Sequence, residues 1–241
     1  MRSQNNHKKE VSALQGKLGH GVTDFYNRDN PFLLSEIKSV KKYPNLSWTW
    51  KNDVPYITGD YFFNAEYKGI VLKECFKILV SFPSDYPNSL PHAFELNGKI
   101  ETYYHHFLSD GSLCLGTEID LYKIFAMNPC LDTFMTEILN PYLYRWLYIK
   151  KFGKEPWTDR SHGNMGIIES YAETLEIPAN KSIVEGFLAL LTDRNTRANS
   201  LCPCNSGKKV KRCHRKKLDK LLTTIPSQGF LRDLLNLRGD K

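Results

Sequence analysis

The 241-residue sequence carries 33 Lys plus Arg against 26 Asp plus Glu, a formal charge of +7, with 41% apolar and 24% charged residues. That is ordinary globular usage and excludes wholesale disorder, while 12% aromatic residues can fill a sizeable core. No apolar run approaches the ~20 residues of a bilayer span, and Met1–Glu10 shows no apolar segment of a secretory signal, so a cytoplasmic protein without membrane partners is expected.

In chain order, residues 1–30 form a polar N-terminal segment rich in Gly and Asn. A first helix is expected over Pro31–Lys42, with Asn30 as cap, Pro31 in the first turn and Leu33, Leu34, Ile37 and Val40 on one stripe. Alternation then marks strands through Ile57–Tyr67 and Phe76–Phe82, with Lys68-Gly69 turning between them as a hairpin. Cys75 falls on the second strand and is expected in the core. A short strand, His92–Leu96, follows a proline-marked turn. From about Ile100 the pattern is irregular, with Asp110-Gly111 as a tight turn.

Asn128-Pro129 reads as a helix cap and first-turn proline before the apolar face of Leu131, Phe134, Met135, Ile138 and Leu139. Asn140-Pro141 restarts or kinks that helix, which continues over Tyr142–Lys151. Cys130, just inside it, reads as packing. A polar loop from Gly153 to Gly166 precedes helices at Ile167–Glu176 and Lys181–Thr192. A linker, Asp193–Ser200, leads to a cysteine cluster and two short amphipathic helices. This order gives an α+β fold: an antiparallel meander flanked by helices, with a small C-terminal module. The expected domains are 31–192 as the body and 193–241 as the module.

The module owns the basic charge. Residues 194–241 hold 13 Lys plus Arg and 3 Asp plus Glu, a net of +10, which leaves −3 on residues 1–193. It also holds Cys202, Cys204, Cys213 and His214, spaced as C-x-C, eight residues, then C-H. Four such ligands suit tetrahedral zinc and leave no open position for a substrate, so the expected cofactor is a structural zinc ion. Gly207 permits the reversal between the two halves. This run resembles the SEC-C metal-binding motif, and the resemblance implies a docking module rather than catalysis. The surrounding lysines could grip phosphates, but no aromatic is interleaved to stack bases, so protein docking is the favoured expectation over nucleic acid.

In the body, Cys114 follows the Asp110-Gly111 turn, with His105 and His106 eight or nine residues before it. On these residues alone, a cysteine between two leucines is more often buried packing. Upstream, however, Phe82-Pro83-Ser84-Asp85-Tyr86-Pro87 and Pro91 resemble the F-P-x-x-Y-P-x-x-x-P segment of ubiquitin-conjugating enzymes, and Gly111-Ser112-Leu113-Cys114-Leu115 is similar to that family's catalytic G-S-I-C-L. The resemblance covers about Pro31 to Leu175. It implies a UBC-like fold and a catalytic Cys114 that carries a protein C-terminus as a thioester and passes it to a lysine.

The family's H-P-N tripeptide falls on Tyr104-His105-His106, so His106 takes the position of the oxyanion-stabilising Asn. That departure points to a prokaryotic branch like those of bacterial antiphage operons. There the modifier would be the C-terminus of a cyclic-nucleotide-making nucleotidyltransferase. No G-x-x-x-x-G-K-[ST] loop is present, which implies a separately activated donor. Asp159 and His162 are further candidates for orienting the lysine. Two rival expectations stand beside this one: an inactive scaffold binding nucleic acid or protein through the zinc tail, and a hydrolase with Cys114 as nucleophile and His106 as base.

Overall fold

The structure is a computed structural model that describes residues 31–101, 104, 106–108, 110–193 and 198–239. The polar segment 1–30, with its Asn30 cap, and linker residues 194–197 lie outside these. Two compact units emerge, one of residues up to Leu115 with Cys130–Gly153, the other of Gly116–Pro129 with the chain from Lys154 onwards. This division differs from the expected boundary at 192/193. The charge split marks solvent-facing residues, whereas the apolar residues of the tail helices belong to the same core as the helices before the linker.

The first unit opens with helix α1 (Pro31–Ser39) and a 3-10 turn at Val40–Lys42. Leu33 and Val40 are buried as expected, but Leu34 is 42% exposed and Glu36 takes its place on the buried face. A four-stranded antiparallel sheet follows in the order β1 (Leu46–Lys51), β2 (Val54–Tyr67), β3 (Ile70–Ser81), β4 (His92–Glu95). The β2–β3 hairpin turns at Lys68-Gly69, both at positive φ, which suits a two-residue turn. β1 was not legible beforehand; Asn52 and Asp53, again both at positive φ, return it into β2. Gly59 has φ +148°, and a Cβ there would lie 2.0 Å from the Asn45 carbonyl oxygen, so only glycine lets the chain entering β1 pass so close.

Alternation sends Ile57, Tyr61 and Phe63 of β2 and Phe76, Ile78 and Val80 of β3 inward. Cys75 therefore faces away from this core, opposite the exposed Phe62, which corrects its expected burial. Helix α3 (Leu131–Thr133) passes through a π-helical stretch, Phe134–Leu139, into α4 (Asn140–Phe152). Pro141 accounts for the wide turn: it has no N–H, and its ring would collide with the Glu137 carbonyl in a regular helix. Gly153, in the left-handed region, ends α4.

Asn128 does not cap α3. The Leu131 N–H donates instead to Glu36 Oε2 at 2.5 Å, and the same oxygen accepts from the Tyr86 hydroxyl at 3.0 Å. Burial raises the Glu36 pKa against the opposing pull of these two hydrogen bonds. One buried carboxyl thus ties α1, the Tyr86 turn and α3 together. α4 lies on the sheet, where the Trp146 ring meets Phe76 edge-on at 5.6 Å and the Tyr61 hydroxyl donates to Asn140 Oδ1 at 2.8 Å.

The second unit is helical: α2 (Glu118–Phe125), α5 (Gly163–Leu175), α6 (Lys181–Thr192), α7 (Arg215–Thr224) and α8 (Ser227–Arg238). Asn180 caps α6 by accepting from the Ile183 N–H. Tyr171, Phe187, Leu191, Leu218 and Phe230 are all essentially inaccessible in its core. Asp120 accepts from Arg160, Ser170 and Thr117. Burial disfavours its ionisation, but these hydrogen bonds prevail and hold its pKa below the usual carboxylate range. Among the described residues, no helix is long and apolar enough to cross a membrane.

A second buried carboxyl in this unit gives a testable pH effect. Asp233 is 5% exposed and accepts from the Tyr171 hydroxyl at 2.9 Å; burial pushes its pKa up to about 7, with Glu118 adding to the rise. Glu118 pairs with Arg232 through one oxygen and buries the other without a hydrogen-bond partner. A carboxyl with a raised folded pKa makes the folded state hold more protons between its ordinary value of 3.8 and about 7. Stability should therefore fall as pH rises through that window, by up to about 1.4 kcal/mol per pH unit. Asp233→Asn should flatten this dependence in thermal melts, and an unchanged slope would show that another group controls it.

Candidate functional site

The cysteine loop belongs to the first unit. Phe107 and Leu113 form an antiparallel bridge, the Leu108 N–H donates to the Ser112 carbonyl at 2.8 Å, and Gly111 closes the tip at φ +85°. Asp110 Oδ1 braces the turn by accepting from the Ser112 N–H and hydroxyl at 2.9 and 2.6 Å. The expected Asp110-Gly111 turn is thus the tip of a small hairpin. At its base the Cys114 N–H donates to the His106 carbonyl at 2.8 Å, so backbone pairing brings the two candidate residues together. The hairpin is strapped to the sheet, since the Leu113 N–H donates to the Ala93 carbonyl of β4 at 2.8 Å. Leu113 is buried as an anchor, whereas Cys114 is half-buried.

His106 is 8% exposed, and its surroundings come from residues distant in sequence. Its Nε2 lies 2.5 Å from Arg145 Nη1, and its carbonyl also accepts from the Tyr142 hydroxyl at 3.1 Å. Burial keeps the Tyr142 phenol protonated, with its pKa raised far above the ordinary value. A guanidinium only donates, so Nε2 must supply a lone pair and the imidazole proton must sit on Nδ1. The ring therefore accepts a hydrogen bond as a neutral group here, rather than donating a charge-assisted one from an imidazolium. Tyr142 and Arg145 share a face of α4 by their i, i+3 spacing, and the sequence signal for them was an arginine set among Tyr142, Tyr144 and Trp146.

Asp159 and His162 are exposed on the segment leading to α5, in the second unit, with His162 as the helix's N-terminal flanking residue. Cys130 Sγ lies 3.4 Å from Thr133 Oγ1 at the start of α3. His105 lies outside the described residues. All six cysteines are unbridged.

The cysteine knot is built on a short β-bridge between Leu201 and Lys209. The Cys202 N–H donates to the Lys208 carbonyl at 2.8 Å and the Val210 N–H to the Ser200 carbonyl at 2.9 Å. Asn205 and Gly207, both at positive φ, reverse the chain between the two halves. This arrangement converges four ligand atoms. His214 Nδ1 is 3.2 Å from both Cys202 Sγ and Cys213 Sγ, Cys204 Sγ is 3.5 Å from Cys213 Sγ, and all four lie within 4.8 Å of one another. Metal–ligand bonds of about 2.3 Å to sulfur and 2.0 Å to nitrogen in a tetrahedron place ligand atoms about 3.4–3.8 Å apart, so the four residues fit a metal ion.

Protonation points the same way. Burial pushes the Cys202 thiol up to about 12, so its thiolate needs a cation beside it. Desolvation lowers the His214 pKa and favours the neutral, ligating imidazole. That ring also hydrogen-bonds to the Leu175 backbone and meets Phe187 edge-on at 5.0 Å, the kind of support that orients a ligating histidine.

No curated protein matches the chain. The SEC-C motif matches residues 199–216, the stretch that contains all four converging ligands, so the C-terminal region carries a SEC-C motif whose four ligands are placed to hold a metal ion.

Proposed function

We propose that the first unit is a ubiquitin-conjugating-like acyl carrier and that Cys114 is its nucleophile. The observation that carries this reading is the hairpin that pairs His106 with a half-buried Cys114 and is fastened to the last strand of the meander. The order of elements supports it: a helix, four antiparallel strands, an irregular cysteine-bearing segment, then a helix laid on the sheet. The Cys114 thiolate attacks the carbonyl of an activated protein C-terminus. The tetrahedral intermediate collapses with loss of the activating group and leaves a thioester. An amine, the side chain of an acceptor lysine, then attacks that carbonyl and displaces the thiolate. His106 Nδ1–H is the neutral donor for the developing oxyanion in both steps.

The cyclic-nucleotide-making nucleotidyltransferase suggested by the resemblance is the modifier we favour, which places the chain in antiphage defence. In the knot, three thiolates and one imidazole suit zinc, held as a closed structural site. The hydrolase alternative loses support because the His106 Nε2 lone pair is engaged by Arg145, which leaves no base at that ring.

The test uses a fluorescent peptide bearing a C-terminal thioester as activated donor. Wild type should acquire label that survives denaturation and is released by reductant. Cys114→Ser should give a slower, reductant-stable ester, and Cys114→Ala should take up none. Cys130→Ala and Cys75→Ala should label normally. Label that persists in Cys114→Ala and disappears in Cys130→Ala would overturn the assignment, and steady release of free peptide acid without an amine would favour the hydrolase.

A further inference from the structure

We infer that the solvent-facing side of the cysteine knot and the start of α7 bind the phosphodiester backbone of a nucleic-acid duplex. This inference is independent of the thioester reading, because it concerns only the second unit.

Lys208, Lys209, Lys211, Arg212, Lys216 and Lys220 are all exposed, and none of these six side chains makes a hydrogen bond or ion pair with another described residue. Their neighbours show the contrast, since Arg215 pairs with Asp219 and Lys217 with Glu176. The six cations are closely spaced in sequence, and the knot fixes the backbone that carries most of them. The Leu201–Lys209 bridge, the bond from the Lys211 N–H to the Ala198 carbonyl and the 3-10 turn at Val210–Arg212 hold that segment in one conformation. Like charges held together repel, so the cluster favours a polyanion over an empty surface.

Three features decide which polyanion. Leu201 is the only large apolar side chain exposed between residues 199 and 220. Protein interfaces centre on apolar and aromatic anchors and are depleted in lysine, so the composition of this face favours a polyanion over the protein partner expected from sequence. A membrane-surface helix needs a free apolar face, but Leu218, Leu221 and Ile225 of the α7 segment are buried. Finally, Phe230 is the sole Phe, Tyr or Trp among the described residues from 198 to 239 and is fully buried, while the half-buried His214 ring is turned against Phe187. Single-strand binding relies on exposed rings that stack on bases, whereas a duplex offers its backbone to lysines with no such requirement. The recognition is therefore electrostatic and independent of sequence.

The experiment measures fluorescence anisotropy of a labelled duplex, in DNA and RNA versions of scrambled sequence, against the full-length zinc-loaded protein over a range of salt. Both duplexes should bind. Log affinity against log salt should fall with a slope of roughly −3.5 to −5.5, the value for four to six phosphates neutralised on B-DNA. The triple variant Lys208→Ala, Lys211→Ala, Lys216→Ala should lessen that slope by about 3, with zinc content and melting temperature unchanged. A matched triple on the first unit, Lys38→Ala, Lys68→Ala, Lys73→Ala, removes the same charge and should leave the slope unaltered. Absence of binding at low salt would overturn the inference. So would equal effects of the two triples, which would mean that net charge rather than this face is responsible. Preferential binding to single strands, or to phosphatidylserine vesicles over duplexes, would also overturn it.

Discussion

Cys204→Ser, or removal of the metal with a chelator, is expected to unfold the second unit well beyond the knot while the first unit stays folded. A short segment closed by four ligands has little core of its own, and structural zinc in small peptides contributes on the order of 10–16 kcal/mol to folding. Here the effect should spread, because the knot is packed into the helices. The His214 ring meets Phe187 of α6, Val210 is fully buried, and Pro203 lies so close to α6 that a Cβ on Gly186 would come within 2.9 Å of it. Losing the metal leaves Cys202, the most buried ligand, as a neutral thiol and frees His214 to move away from Phe187.

Hydrogen exchange can measure the extent. Amides of α6, α7 and α8 should lose protection when the metal is removed, and those of the β2–β3 hairpin should keep it, because that hairpin belongs to the core of the other unit. A colorimetric chelator should report one zinc released per chain. If α6 to α8 keep full protection after the metal is gone, the knot is an appendage and not a part of that core. Truncation at Ser200 should behave like metal loss, since it removes α7 and α8 together with the buried Leu218, Phe230 and Leu234.

What the sequence made legible follows the range of each interaction. The β2–β3 hairpin could be read because alternation and a Lys68-Gly69 turn are local, and the knot because four ligands and a glycine lie within thirteen residues. β1 escaped because Trp48, Thr49 and Trp50 give too short a run to show a period of two, and α2 because eight residues between Gly116 and the Asn128-Pro129 pair look like loop. Cys75 was placed on the wrong face because strand type was legible and its partner face was not. The same reason hid the division into units: the apolar stripes of α7 and α8 show that these helices pack, but not that they pack on α5 and α6. Glu36 and Arg145 were missed because each acts on a residue far along the chain, 95 positions away for Leu131 and 39 for His106.

The Arg145–His106 pair gives the second large expected effect, and it separates a positioning role from a merely structural one. Arg145 is 8% exposed and, in the proposed mechanism, touches neither donor nor acceptor, so its effect on the reaction is expected through the ring it holds. With the guanidinium on Nε2, the imidazole keeps its proton on Nδ1 and its plane is fixed between Tyr104 and Tyr142, whose rings lie 4.8 and 6.2 Å away. Arg145→Leu removes the guanidinium donor at Nε2, so the ring can take either tautomer and can turn. If Nδ1–H stabilises the oxyanion, thioester formation at Cys114 should fall by roughly 10²–10³-fold, the scale of losing one such donor, and His106→Ala should fall as far. Arg145→Lys, which can still donate to Nε2, should recover part of the rate. Nitrogen-15 shifts of the His106 ring supply the readout that packing alone would not move: one protonated Nδ1 in wild type and a mixture in Arg145→Leu. A variant that melts earlier but keeps both the rate and the single tautomer would show that Arg145 only fills space. A lost rate with the tautomer unchanged would show that it acts by some route other than the histidine.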